Sequence, residues 1–434
     1  MNKKVLMICY YFPPLLDVGC KRSVAFSKYL KLHGWEPYVL SVRNPDKRYC
    51  QRGNDRPPSG VSVTYVWSLF NLFWLFGKMH GLLHKVCALL GFNLRRNYFH
   101  DFFSIPDLFM GLIPGAVIGG YRIIKKKGVG FIYVSCSPFS SAVAGLVLKR
   151  ICGKPLIIDF RDPMAVNLPD RFNVPSFRKK INKSIERKII NAADVFIVNT
   201  EEVRSGYVEA YPEIAYKTIT IHNGFDHEML PEGRPEKFGK FTIAYGGNMY
   251  LPAIKSSPFF EALGRLKRSK KISRENFQFL YYGPDNQSMD QIAGDHGVAD
   301  LVFARPSISH AEMLKILSKS HLQLLRIVKP MISTKLFEGI ALNLPFLATI
   351  PSGEVSDIIR KYSPSSYIVP EESTEAIEEA VIDAMKTYQK DEVQDNLVNQ
   401  FFSSFSREAM TQKLEQAFVL SSSIQNSTDK RLSN

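Results

Sequence analysis

The sequence lacks a cysteine pair at C-x-x-C spacing and lacks any Cys/His zinc spacing. Its six cysteines, Cys9, Cys20, Cys50, Cys87, Cys136 and Cys152, all fall in the first 152 residues. A zinc module and a disulfide scaffold are thereby set aside, and reduced thiols in a cytosolic protein fit best. No G-x-x-x-x-G-K-[ST] run is present, nor a G-x-G-x-x-G after the first apolar stretch, which excludes P-loop ATPases and typical dinucleotide-dependent dehydrogenases. An uninterrupted membrane-spanning run is also missing: residues 68–94 are very apolar but are broken by Lys78, His80, His84, Lys85 and three glycines, where a span needs about 20 predominantly apolar residues. The N-terminal apolar run, about six residues long after two lysines, reads as a first strand and not as a signal peptide. Acidic residues are scarce in one half only. Residues 1–200 hold 30 Lys and Arg against 11 Asp and Glu, a net +19, whereas residues 201–434 hold 26 against 30, a net −4.

What is present is ordinary globular material. At 434 residues, with 45% hydrophobic and 22% charged residues, the chain is long enough for two to three domains and unlike disordered, collagenous or coiled-coil sequences. The cationic half predicts an anionic partner: phosphates, a lipid surface or nucleic acid. Its basic residues are scattered, without an aromatic-interleaved patch, so nucleic acid ranks last.

Residues 5–11 read as a strand ended by Pro13 and Pro14, 22–33 as a helix stopped by Gly34, and 36–42 as a second strand, the opening of a doubly wound parallel sheet. Strands over 131–135, 155–160 and 195–199 alternate with helices over 140–151 and 177–191. After a polar linker at 226–240 the pattern repeats. Strands are expected at 241–245, 277–282, 301–303, 321–325 and 346–349, and helices at 257–267, 310–318, 334–341 and 374–389. The expected fold is α/β, two Rossmann-like domains with a cleft between them and ligands at the carboxyl ends of the strands. Domain one spans 1–225, with an insertion at about 44–104 and a return helix at about 405–420. Domain two spans 226–404, and 421–434 is polar and expected to be disordered. The apolar segment 68–94 fits either an in-plane helix beside anionic lipid headgroups or a core-packed insertion.

Two segments carry chemistry. Gly246, Gly247 and Asn248 follow the first strand of the second domain, with Lys255 shortly before a helix; such glycines let backbone N–H groups approach a phosphate, and a plain tight turn is the alternative. In residues 333–349, STKLFEGIALNLPFLAT, Ser333 and Thr334 can cap a helix, Lys335 lies in its first turn, and Glu338 follows on the same face. A cation there opposes the helix dipole and points to a local anion; Glu338 serves equally well as a capping-box acid.

These residues resemble glycosyltransferases of the GT-B fold, in particular the retaining family 4-like group of bacterial polysaccharide and lipopolysaccharide synthesis. Residues 333–338, continuing to Pro345, follow that group's S-K-L-x-E segment. Residues 157–163, IIDFRDP, are similar to its D-x-R-D-P-W element with Met164 in place of Trp. Ala193-Asp194, residues 221–226 (IHNGFD) and Tyr282-Gly283 resemble further family elements. The resemblance implies a donor site of Gly246, Gly247, Asn248, Lys255, Gly283, Ser333, Thr334, Lys335 and Glu338, the glutamate on the ribose hydroxyls. It implies acceptor contacts from Gly19, Arg22, Arg161 and Asp162, and catalytic roles for Arg161, Asp162 and Lys335. The chain departs from the family at Met331, where the first acid of an E-x7-E pair would stand, at Cys20 in the first glycine loop, and at Arg161 in place of a histidine.

The implied activity is retaining, metal-independent transfer from a UDP- or GDP-sugar to a saccharide or lipid-linked acceptor in surface polysaccharide synthesis. It needs no cofactor and no metal, and is placed in the cytoplasm at the inner face of the membrane. The departures motivate an alternative, a non-catalytic GT-B-like protein that binds nucleotide-sugars or a partner.

Overall fold

The computed structural model describes the chain apart from residues 1, 17, 46–50, 54, 71, 93–98, 100–103, 167–175, 234, 250–257, 327–331, 370–372, 389–394 and 433–434. It divides into two compact units, Met1–His222 with Met410–Asn434, and Asn223–Ala409.

The first unit is built on a parallel sheet of β1 (Lys4–Cys9), β2 (Glu36–Val42), β3 (Ser62–Val66), β4 (Phe131–Cys136), β5 (Leu156–Phe160), β6 (Val195–Val198) and β7 (Thr218–Thr220). Their spatial order is 3-2-1-4-5-6-7. The central strands are mostly apolar and wholly buried, as a sheet covered by helices on both sides requires, with Asp159 the one charged residue among them. Val5 pairs with Pro37 on one side and Phe131 on the other. The covering helices include α1 (Val18–Leu32), α3 (Leu112–Lys127), α4 (Ser140–Cys152), α5 (Ser176–Ala192) and α6 (Glu201–Ala210), while α2 (Leu72–Leu89) lies between β3 and α3 in the chain. Two glycines let them approach closely: a Cβ at Gly120 of α3 would lie 2.5 Å from Leu148, and one at Gly145 of α4 would lie 2.6 Å from Val134.

The second unit repeats the plan with β8 (Phe241–Gly246), β9 (Phe277–Tyr282), β10 (Val302–Arg305), β11 (Leu322–Arg326), β12 (Phe346–Thr349) and β13 (Tyr367–Val369), in spatial order 10-9-8-11-12-13. Its helices include α7 (Pro258–Arg268), α8 (Asn286–Asp295), α9 (His310–Lys319), α10 (Thr334–Ala341), α11 (Glu354–Tyr362), α12 (Thr374–Thr387) and α13 (Asp395–Phe405). In both sheets the chain starts in the middle and reverses direction between the first and fourth strands, which creates the switch point where such folds bind ligands.

Two expectations are corrected. Residues 62–66, placed in an insertion, are a strand of the main sheet, paired in parallel with β2 from Tyr38↔Ser62 to Val42↔Val66. The tail expected to be disordered is instead helical: α14 runs from Arg407 to Leu432. Leu414 and Phe418 are buried, Phe418 beside Trp35 and Phe131, and Glu415 accepts from Trp35 Nε1 at 3.0 Å. The serines that make the tail look unstructured bond backwards within the helix, Ser421 and Ser422 to Phe418 O and Ser423 to Val419 O.

Candidate functional site

The expected donor half lies in the second unit, where β8 and β9 end beside the start of α10. Gly247 has φ +109, a conformation that favours glycine, and its N–H donates to Tyr282 O at 2.7 Å. A Cβ at Gly283 would lie 2.5 Å from Gly247 O, and one at Gly246 would lie 2.6 Å from Met313 Sδ. Gly247 is thus fixed by its backbone conformation and Gly246 and Gly283 by close approach. Asn248 contributes its carbonyl, which accepts from Tyr245 OH at 2.8 Å.

Ser333 caps α10, its side chain accepting from Lys335 N at 3.3 Å, and Thr334 is the first helical residue. Leu336, Phe337 and Ile340 enter the core and leave Lys335 half-buried at the helix start. Its ammonium donates to Tyr245 OH at 2.8 Å, stands 4.0 Å from the centre of that ring, and lies 3.1 Å from where a Cβ on Gly247 would be. Burial pushes its pKa down to about 8, and Glu338 pulls it partly back. A cation held over a glycine turn beside a helix N-terminus suits a diphosphate.

Glu338 is buried one turn further on, and its Oε1 lies 2.8 Å from His310 Nε2 at the start of α9. Since the carboxylate accepts, Nε2 donates, and a neutral imidazole then leaves Nδ1 as a buried acceptor with no partner among the described residues. Tyr245 and His310 had no sequence signal as site residues, because their partners Lys335 and Glu338 are distant in the chain. Lys255 and Met331 lie outside the described residues.

The expected acceptor half lies in the first unit. Arg161 follows β5 and folds back on the end of β4: Nε donates to Cys136 O at 3.2 Å, Nη2 donates to Ser137 O, and the guanidinium stands 5.7 Å from the Tyr11 ring centre. Asp162 is half-buried beside it. The loop that follows is held by buried Glu186, which accepts from Ala165 N at 2.7 Å and from the Tyr207 hydroxyl at 2.8 Å. Gly19 is buried in the first turn of α1.

Arg22, expected to contact an acceptor, is engaged within its own unit. Only 4% exposed, it donates to both carboxylate oxygens of Asp159, at 2.8 and 3.2 Å, and to His222 O at 2.6 Å. Asp159 also accepts from Tyr133 OH at 2.5 Å. Burial and the neighbouring carboxylate hold that phenol well above its ordinary pKa. Arg22 therefore ties α1 to β5 and to the chain after β7. Among the described residues no group of three or more His, Cys, Asp or Glu could hold a metal ion.

Residues 23–229 match the family model described as Glycosyltransferase Family 4. No curated protein sequence matches the chain. Sucrose-phosphate synthase from Thermosynechococcus elongatus is similar over 96% of this chain and 98% of its own, with a TM-score of 0.64 at 14% identity. HepE of Anabaena in complex with UDP gives 96% and 99%, 0.63 and 12%. The lipopolysaccharide outer core galactosyltransferase WaaB, in its apo form, gives 96% and 99%, 0.58 and 10%. At such identities the likeness is one of fold. The chain has the GT-B fold of two Rossmann-like units, and its residues 23–229 match Glycosyltransferase Family 4.

Proposed function

We propose that this protein is a glycosyltransferase that moves a sugar from a UDP- or GDP-sugar to a saccharide or lipid-linked acceptor in envelope polysaccharide synthesis. The observation that carries the reading is the Lys335 ammonium, held over Tyr245 beside the Gly247 turn with buried Glu338 one helical turn away. Transfer breaks the bond between the anomeric carbon and the diphosphate, the electron pair staying on the phosphate oxygen while the acceptor oxygen bonds to carbon. Lys335 and the α10 N-terminus meet the charge on the departing diphosphate without a metal ion. Glu338, steadied by His310, accepts from the ribose hydroxyls. Asp162 positions the acceptor hydroxyl, whose proton passes to it or to the leaving phosphate, and Arg161 holds acceptor or leaving-group oxygens with its outer nitrogen. Retention of the anomeric configuration follows from the family resemblance alone.

The departures at Cys20, Arg161 and Met331 favour a second reading, a sugar-nucleotide sensor without turnover. Incubating the protein with radiolabelled UDP- and GDP-sugars and extracted membrane lipid separates the two. Transfer to lipid or saccharide that survives EDTA supports the enzyme; saturable binding without transfer supports the sensor; absence of nucleotide-sugar binding overturns both.

A further inference from the structure

The apolar segment that begins at residue 68 is largely exposed. Leu75, Met79, Leu82, Val86 and Leu89 recur at helical spacing along α2 and form one continuous stripe in solvent, with Leu82 68% and Leu89 88% exposed. The helix is fixed to its unit along another edge, where Phe76 is buried against Leu108 with Phe99 and Met110 packed around them. The strap leading into it is held too: Leu69 N donates to Gly111 O at 2.9 Å, and a Cβ on Gly115 would lie 2.3 Å from Trp67 O. The expectation of a core-packed insertion therefore fails for this stripe.

The border of the stripe is cationic. Lys78 stands 4.3 Å from the ring centre of Trp74, itself 55% exposed, and Lys85 lies two turns further along the same side. No acidic residue occurs in α2. Arg178 of α5 donates to Ser104 O at 2.8 Å, four residues before Leu108, so the basic start of α5 adjoins the anchor of α2. There Lys179, Lys180 and Lys183 are exposed, and the helix's one acid, Glu186, is buried. Among the described residues no helix is long and apolar enough to cross a membrane. A bare apolar stripe rimmed by lysines, next to a second lysine-rich helix, suits a surface apolar below and anionic above.

We propose that α2 docks on an anionic phospholipid bilayer, laying Leu75, Leu82 and Leu89 among the acyl chains while Lys78, Lys85 and the α5 lysines face the headgroups. The inference stands apart from sugar transfer, since its readout is lipid binding alone. The full chain is to be sedimented with vesicles of phosphatidylcholine alone and with 30% phosphatidylglycerol, at low and high salt. Binding to the anionic vesicles, weakened by about tenfold or more both by L82E/L89E and by K179Q/K180Q/K183Q, is the expected result. Both variants should melt at the wild-type temperature, because exposed side chains lose no core contacts. Absence of vesicle binding by wild type, or equal binding by L82E/L89E, overturns the proposal. So does a dimer in light scattering that L82E/L89E abolishes, which would assign the stripe to a second copy of the chain.

Discussion

Lys335 offers the sharpest test of the proposed donor half, because two opposite pH trends follow from one group. Its ammonium is half-buried against Tyr245, and burial, offset in part by Glu338, brings its pKa from an ordinary 10.5 down to about 8. The unfolded chain keeps the proton up to the ordinary value, so between about pH 8 and 10.5 the unfolded state binds more protons than the folded one. Stability of the ligand-free protein should therefore rise with pH across that window. A diphosphate needs the ammonium and should restore it. If its pKa in the complex returns to the ordinary range or above, the affinity for a nucleotide-sugar falls by about tenfold from pH 7 to pH 9, near 1.4 kcal/mol. At pH 8 binding should take up about half a proton. UDP-glucose is a suitable probe because its diphosphate lacks the terminal ionisation near pH 6 of a free phosphate monoester. Titration calorimetry in two buffers of different ionisation enthalpy reads both affinity and proton uptake. Lys335→Met should lose about 1.5–3 kcal/mol of binding, the worth of a hydrogen bond to a charged group, with no loss of melting temperature. Affinity independent of pH from 7 to 9, or pH dependence that survives in Lys335→Met, would refute the assignment.

Other parts of the molecule give separate readouts. His310→Ala leaves Glu338 without its imidazole partner and should raise KM for the sugar nucleotide by roughly fivefold, the worth of about 1 kcal/mol, with a smaller change in kcat. Arg22→Met strands the wholly buried Asp159 carboxylate and should cost about 3–5 kcal/mol in urea unfolding; retained stability with lost acceptor binding would instead return Arg22 to the site. Burial, with Lys237 nearby, brings the His321 pKa down to about 4, and its Nδ1 accepts from Thr242 N at 3.0 Å. Stability should fall as the pH drops from about 6.5 towards 4, where the unfolded chain takes up the proton first. His321→Gln should flatten that fall in a series of thermal melts.

For the proposed donor half, the sequence shows which residues share an element where they lie close together. Ser333, Thr334, Lys335 and Glu338 lie within two helical turns, and helical periodicity puts them on one element without knowledge of the rest. Their partners were not legible, because Tyr245 reaches Lys335 across 90 residues and His310 reaches Glu338 across 28. The same limit hides the partner of Arg22, which stands near a glycine in the first turn of α1 and looks poised for a ligand, while the carboxylate it pairs with lies 137 residues away. Local polarity misled at the C-terminus. Ser421, Ser422 and Ser423 look like a solvated tail, yet each satisfies its hydroxyl on the preceding helical turn and the helix continues.

Charge shows how far a sequence count differs from a surface. The +19 of residues 1–200 includes cations turned inward: Arg22 is buried on Asp159, and Lys149 lies 2.7 Å from Asp194 with a second bond to Ala192 O. Just beyond, Lys217 donates to Asn191 O and Ala193 O, with burial pushing its pKa down to about 8. These groups act as ties between strands and helices, and burial confines their influence to their immediate partners. The cations left facing solvent include three groups on single elements: Lys78 and Lys85 on α2, Lys125, Lys126 and Lys127 at the end of α3, and the lysines of α5. Those on α3 sit at a helix C-terminus, where the dipole favours them without any ligand. Those on α2 have no such reason, because they border exposed leucines in the middle of a helix. The cationic surface that the bilayer proposal uses is the one around α2 and the adjoining start of α5, smaller and more specific than the net charge suggests.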